Sequence, residues 1–350
     1  MSSAVGADRP EKRRRLRELL DRTGHDAVLL TTGPTLAWYL DGTRVDVGAG
    51  AAPVLAVEAD GRDDVVHCAL NEVERLEAGE LPPDVRVHPV PWTTPPALAA
   101  PDGLVPEESL AAELRAARAR LLPAERARYR ALGRTCAGVL TRALLTAEPG
   151  ESENSLAARV GGLLLAEGID VLVLLVAGQD RLGLRHPVPG PGPLGRRAVV
   201  VVCGRRHGLI ADLTRWVAFD APDARTAGAT GAVLQVEADA FAACTPGRAL
   251  ADVLADVAAA YPRHGLAADE WTRHHQGGPT GYAGRDPRAT PHVPDRVVAG
   301  GAFAWNPTAP AVKVEDTVVL DEAGIEVLTV DPHWPTVEVR GLARPAELQR

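Results

Sequence analysis

Leu16, Leu19 and Leu20 recur at helical spacing among charged residues and predict an amphipathic helix from about Pro10 to Thr23. The run Asp26 to Thr32 then reads as a strand that breaks at Gly33-Pro34. A short helical piece from Leu36 to Leu40 leads into Asp41-Gly42. Val54 to Val57, Val65 to Cys68 and Val85 to His88 predict further strands, parted by Asp60-Gly61 and Leu81 to Asp84. The prolines between Pro91 and Pro106 cannot donate to a ladder, so that segment is a loop or an edge connection. A helix from Glu107 to Leu122 bridges onward, which delimits a small α/β domain over residues 1–122.

The pattern over residues 123–350 differs. A helix starts at Pro123 and reaches about Ala147, and a second runs from Glu151 to Glu167, closed by Gly168. Val171 to Ala177 is a buried strand, followed by a turn-rich loop from Gly178 to Gly195 that contains His186. Ala198 to Cys203 and Leu209 to Val217 predict a hairpin that turns at His207-Gly208. Helices at Arg225 to Ala243 and Arg248 to Tyr261 follow, then strands at Gly301 to Trp305, Asp316 to Leu320 and Ile325 to Thr329. The fold class is α/β (α+β): a small α/β domain, then a second domain of helices and strands.

Composition adds exclusions. A hydrophobic share of 46% supports ordinary cores, and a net charge of −8 lacks the basic footprint that nucleic acid requires. The one basic run, Lys12 to Arg15 with Arg17 and Arg22, reads as a solvated helix face. Cys68, Cys136, Cys203 and Cys244 stand far apart and read as core thiols in a reducing cytoplasm. No charged-then-apolar leader opens the sequence and its longest apolar run is too short to span a bilayer, so a cytoplasmic location without membrane contact is expected. Lysine occurs only at Lys12 and Lys313, which singles out the latter.

The stretch Arg273 to Asp286 reads as a site. His274 and His275 are adjacent, and on a regular backbone adjacent side chains diverge, so one of them is expected to face a pocket while the other packs. Gly277, Gly278, Gly281 and Gly284 permit positive φ and close backbone approach, and propensity alone gives a loop there.

The order of motifs in the second half resembles the pita-bread superfamily of Xaa-Pro aminopeptidases, prolidases, methionine aminopeptidases and creatinase. The motifs are the loop with His186, the hairpin ending Gly208 to Arg215, the His-Gly stretch, Trp305-Asn306-Pro307 and Val314-Glu315-Asp316-Thr317. In the first half, Trp38 to Gly42 looks like that family's Tyr-Leu-Thr-Gly turn. The resemblance implies a creatinase-like N-terminal domain, a pita-bread domain in which helices cover a curved, mostly antiparallel sheet, and a homodimer. It also implies five side chains holding two divalent metals. Asp212 and Glu315 match two of them, but Val201 to Gly204 offers no carboxylate, Asn306 stands for a Glu, and Gly278 stands for the metal-binding His. His274, or with one residue of slippage His275, matches an upstream substrate-side His, and a downstream His falls near Arg285. His186 matches the loop His that metal-free creatinase uses as its acid–base residue.

Two divalent cations need several anionic ligands to offset lost hydration, so no metal cofactor is expected, with one weak ion between Asp212 and Glu315 as an open alternative. His186, His274, His275 and Glu315 are the candidate catalytic residues. Asp212, Arg285, Asn306, Lys313 and Tyr282 are the candidate substrate contacts. Their mixed charge suits a small zwitterion, with Arg285 taking a carboxylate and Glu315 or Asp212 a cationic nitrogen. The alternative is that Arg285 and Lys313 only neutralise Glu315 and Asp316 in a structural ion pair. Cys203 reads as a core thiol, and Arg215 as a residue that pins strands. The function expected is a metal-independent enzyme that cleaves or rearranges a C–N bond in such a molecule. The alternatives are an Xaa-Pro aminopeptidase or dipeptidase with altered metal ligands, and a pseudopeptidase that only binds.

Overall fold

Leu16, Leu19 and Leu20 form the buried stripe of the helix Arg9–Thr23, which has Pro10 in its first turn and ends at Gly24, in the left-handed region with φ 75. The computed structural model describes residues 6–350. The first five residues of the expected 1–122 domain therefore lie outside the described residues. The chain divides into two compact units. One reaches Arg128 and includes the hairpin tip Arg206–Leu209, and the other comprises Tyr129–Arg205 with Ile210–Arg350. The division falls inside the helix Pro123–Leu144.

The first unit holds a mixed five-stranded sheet in the order β4-β3-β2-β1-β5, built from β1 (Val28–Leu30), β2 (Leu55–Ala59), β3 (Val65–Ala69), β4 (Arg86–Val90) and β5 (Val105–Pro106). β5 is an edge strand parallel to β1, so the proline-rich segment ends in an edge pairing. Lys12 corrects the reading of the whole basic run as a solvated face. Lys12 is fully buried, with its ammonium 2.6 Å from Asp41 and 2.7 Å from Glu125. Asp41, held at φ 53, also accepts a 2.7 Å bond from Arg128, and this demand for buried cations draws part of the run inward.

In the second unit, β6 (Asp170–Ala177), β7 (Arg197–Arg206), β8 (Leu209–Ala218) and β17 (Leu348–Gln349) form one four-stranded sheet in the order β17-β8-β7-β6. The hairpin turns through His207 at φ 51 and Gly208 at φ 75, the two positive φ values of a tight primed turn. A second sheet, β14-β13-β10-β9, is antiparallel throughout and contains β9 (Gly277–Thr280), β10 (Ala302–Trp305), β13 (Asp316–Asp321) and β14 (Gly324–Val327). Short hairpins β11–β12 (Thr308–Ala309, Val312–Lys313) and β15–β16 (Thr336–Val339, Leu342–Pro345) complete it. The helices Ala224–Ala243 and Leu250–Arg263 bury Val236, Phe241, Leu254, Val257 and Tyr261 against Phe303, Trp305, Val318 and Leu320. β8 meets the second sheet directly: Ile210 donates its N–H to Gly281 O at 2.8 Å and Thr214 to Glu315 O at 2.9 Å. The middle of β8 is thereby fixed beside β9 and the approach to β13.

One element departs from the sequence reading. Gly277–Thr280 is a strand, not a loop, and it pairs with β10 along its whole length. A Cβ on Gly277 would lie 2.1 Å from Ala304 O, so only glycine permits the two backbones to approach this closely.

Candidate active site

Asp212 is carried by the middle of β8, and Glu315 immediately precedes β13. Asp212 is fully buried and Glu315 is 2% exposed. Backbone and hydroxyl contacts hold both: Asp212 N–H donates to Thr317 Oγ1 at 2.8 Å, and the Thr214 hydroxyl donates to Glu315 at 3.2 Å. Their charges are met from within the protein. Arg285 reaches Glu315 Oε1 at 2.5 Å and Asp212 Oδ2 at 3.1 Å, while Lys313 Nζ lies 2.9 Å from Glu315 Oε2. Two carboxylates thus face two cations, and the cluster is neutral. In this structure Arg285, expected to take a substrate carboxylate, and Asp212 and Glu315, expected to take a substrate cation, are paired with one another. The alternative ion-pair reading describes Glu315 but not Asp316, whose partners are Arg215 at 2.9 Å and Arg344 at 2.9 Å. Arg215 also donates to Thr329 O, so it pins strands.

Burial pushes both carboxyl groups up, and the two cations reverse this at Glu315, whose pKa falls to about 2. Asp212, with Arg285 alone and Glu315 repelling it, stays above the usual carboxylate range. The Cys203 thiol lies beside Asp212 and burial pushes it well up, so it is no thiolate.

The three candidate histidines converge. His186, on the loop after β6, places Nε2 3.1 Å from His274 Nε2. His274 and His275 stack, with ring centroids 4.4 Å apart and planes at 25°. The expectation that only one would face the site is corrected. The pair follows a 3₁₀ turn, and the backbone is extended at His274 (φ −154) and then bends through Gly277 at φ 102, which is not a regular strand. One ring nitrogen from each of the three residues falls within 4.8 Å of the others. Burial first, then Lys313, pushes His274 down to about 3, and burial with Arg285 pushes His275 down to about 4. His186 is also lowered, by burial and then Lys313. All three rings are therefore neutral at pH 7.

Sequence reasoning missed the groups that hold this loop. Gln276 donates to His274 O at 2.7 Å and to Trp271 O at 2.9 Å, and accepts from the Tyr261 hydroxyl at 2.8 Å. The signal was present in the helical spacing of Tyr261, but the partner was not. Arg288 was also missed. It is exposed, it acts electrostatically on His186 and His275, and no ion pair with a carboxylate holds it among the described residues. Asn306 is buried beside Gln276, to whose carbonyl it donates its backbone N–H at 3.0 Å, and its Oδ1 is unpartnered. Tyr282 is buried at 4% exposure, so it belongs to the packing rather than to an open surface.

The residues do not fit a pair of divalent metals at Asp212 and Glu315. Any ion there would have to displace Arg285 and Lys313 from contacts of 2.5 to 3.1 Å. Nor can Gly278 be a ligand position: at φ 136, a Cβ would stand 2.9 Å from Ala289 N and 3.0 Å from Pro287 O.

The model of metallopeptidase family M24 matches residues 127–322, more than half of the chain. Among solved structures, the prolidase of Pyrococcus horikoshii OT3 superposes with a TM-score of 0.74 at 17% identity, covering 91% of this chain and 98% of that one. The dipeptidase PepE of Mycobacterium ulcerans gives 0.73 at 20% identity, covering 100% and 98%. The N-terminal domain of the FACT complex subunit SPT16 from Cicer arietinum gives 0.67 at 14%, covering 92% and 96%. No curated protein matches the sequence. These superpositions establish the pita-bread fold.

Proposed function

The chain belongs to metallopeptidase family M24, and from that premise we propose that it is an enzyme that cleaves a C–N bond in a small zwitterionic substrate by imidazole acid–base chemistry. On this reading no metal pair sits at the carboxylates that its family resemblance marks. The observation that carries the proposal is Arg285, whose guanidinium bridges Asp212 and Glu315 and takes up the negative charge on which such a metal pair depends.

His186 is the group best placed to meet substrate, since it is exposed while its Nε2 touches that of the buried His274. With both rings neutral, one N–H donates across this contact and the other nitrogen accepts. A proton taken by His186 from an attacking water has a second imidazole within hydrogen-bond reach, and the same pair can return a proton to the departing nitrogen. Arg288 is the free cation that suits a substrate carboxylate, in place of Arg285. Glu315 keeps Lys313 in position and so sets the field on the imidazoles rather than meeting substrate itself.

The test is turnover by chelator-treated protein on a panel of Xaa-Pro dipeptides, amino-acid amides and guanidino compounds. Cleavage of one class is expected, with His186→Ala lowering kcat/KM by about 10²–10⁴-fold and Arg288→Ala raising KM. Activity that disappears on chelation and returns with Mn²⁺ would instead establish the metallopeptidase reading. Binding of a substrate-like ligand without turnover would establish a binding module.

A further inference from the structure

We propose that the ring nitrogens of His186, His274 and His275 form a site for one borderline-soft divalent ion such as Zn²⁺, Co²⁺ or Ni²⁺, separate from the Asp212–Glu315 cluster. The inference goes beyond the functional reading above and stands whether or not the chain turns over any substrate.

Three observations carry it. First, one nitrogen from each ring already lies within 4.8 Å of the others, and the His186–His274 Nε2 pair is at 3.1 Å. Nitrogens on a tetrahedral ion with bonds of about 2.0–2.1 Å stand about 3.3 Å apart. The positions on His186 and His274 are therefore close to ligand spacing, and the nitrogen of the half-buried His275 closes by a shift of at most about 1.5 Å. Second, the rings are under-used. Three neutral imidazoles carry three N–H groups and three lone pairs, and the His186–His274 contact uses one of each. The Nδ1 atoms of His274 and His275 are buried with no partner, although His274 is only 7% exposed. Leaving such buried groups unsatisfied is costly, and exceptions of this kind call for an explanation. Third, the nearby cations, whose field disfavours positive charge on the rings, are mostly paired with carboxylates that offset part of that field. Lys313 is tied to Glu315 and Arg285 to Asp212 and Glu315, which leaves the solvent-screened Arg288 as the unpaired cation facing the rings.

Nitrogen donors select Zn²⁺, Co²⁺, Ni²⁺ or Cu²⁺ over the oxygen-seeking Mg²⁺, Ca²⁺ and Mn²⁺. Three protein ligands leave a fourth position open to water or a small ligand. An ion held in this way would occupy the lone pair with which His186 accepts a proton.

The experiment is a Co²⁺ titration of the chelator-treated full-length protein, followed by visible absorption and by the ion-induced rise in Tm. One equivalent is expected, with the absorption of a nitrogen-ligated four- or five-coordinate ion and with no competition from excess Mg²⁺. His186→Ala alters an exposed loop residue and leaves the core intact. It should weaken binding at least about 100-fold, the upper end of what even an outer-sphere partner contributes, and remove the Tm rise. His292→Ala, an exposed control, should change neither. A parent protein with no saturable absorption would overturn the proposal, as would Co²⁺ affinity equal to the parent's in both His186→Ala and His275→Ala. Neither readout involves turnover, so failure here and failure of the functional reading are distinguishable.

Discussion

At Gly278 the backbone has φ 136 and a Cβ would press on Ala289 N and Pro287 O, so the backbone itself, and not the side chain alone, excludes the His that the family resemblance would place there. Gly278→His should therefore lower stability by at least about 1–3 kcal/mol in urea unfolding and create no Mn²⁺ site; an unchanged midpoint would contradict this. The neighbouring imidazoles give a pH signature. His274 and His275 have values near 3 and 4 in the folded protein against an ordinary 6.5, because burial, Lys313 and Arg285 outweigh Glu315. As pH falls the unfolded chain takes up these protons first, so the contribution is complete above pH 6.5 and is lost between about 6.5 and 4 for His275 and between about 6.5 and 3 for His274. The urea midpoint of chelator-treated protein should drop from pH 7 to pH 5, and by less in His275→Gln; equal drops would show that these rings are not responsible. The convergence of His186 and His274 was legible because each stands in a motif with a fixed place in the fold. The pairing of Arg285 with Glu315 was legible only as an alternative, and its second contact with Asp212 and the stacking of His275 were not, since both depend on contacts between distant segments or on a non-regular backbone.

Among the elements, the helices and the β7–β8 hairpin were readable from period and turn chemistry alone, whereas β9 was not. Its Gly-Gly-Pro-Thr sequence has no strand propensity, and it becomes a strand because β10 lies against it and glycine lets the backbones close to contact distance. The helix Arg9–Thr23 shows the same limit. Its leucine stripe marked the buried face, but Lys12 belongs to that face too, because Asp41 and Glu125 wait for it there. Lys12→Met removes one cation from a buried set that retains both carboxylates, a change that typically costs about 3–5 kcal/mol. Chemical denaturation should show a loss of that size, with far-UV circular dichroism preserved in the absence of denaturant. A loss below about 1 kcal/mol would return Lys12 to the solvated face.

Over the whole molecule, the candidate site is assembled from residues scattered through the second unit: Asp212 on β8, Arg285 after β9, Lys313 on β12 and Glu315 before β13. None of these pairings is local in sequence except Lys313 with Glu315, which is why the sequence could list the charges but not decide which faced a ligand. Their sum is what the proposed absence of a metal pair rests on, and one substitution probes that sum. Arg285→Met should leave Asp212 without the one cation that pairs with it among the described residues and Glu315 with Lys313. The expected loss is about 3–5 kcal/mol, since a buried charge then stands uncompensated. It should also make the oxygen ligands available, so that millimolar Mn²⁺ or Mg²⁺ raises the Tm of the variant while leaving the parent unmoved. These ions favour carboxylates over imidazole, so the response is separable from any binding at His186, His274 and His275. If the parent gained as much Tm as the variant, its carboxylates would already be open to metal, and the neutral cluster would not be what keeps the ions out.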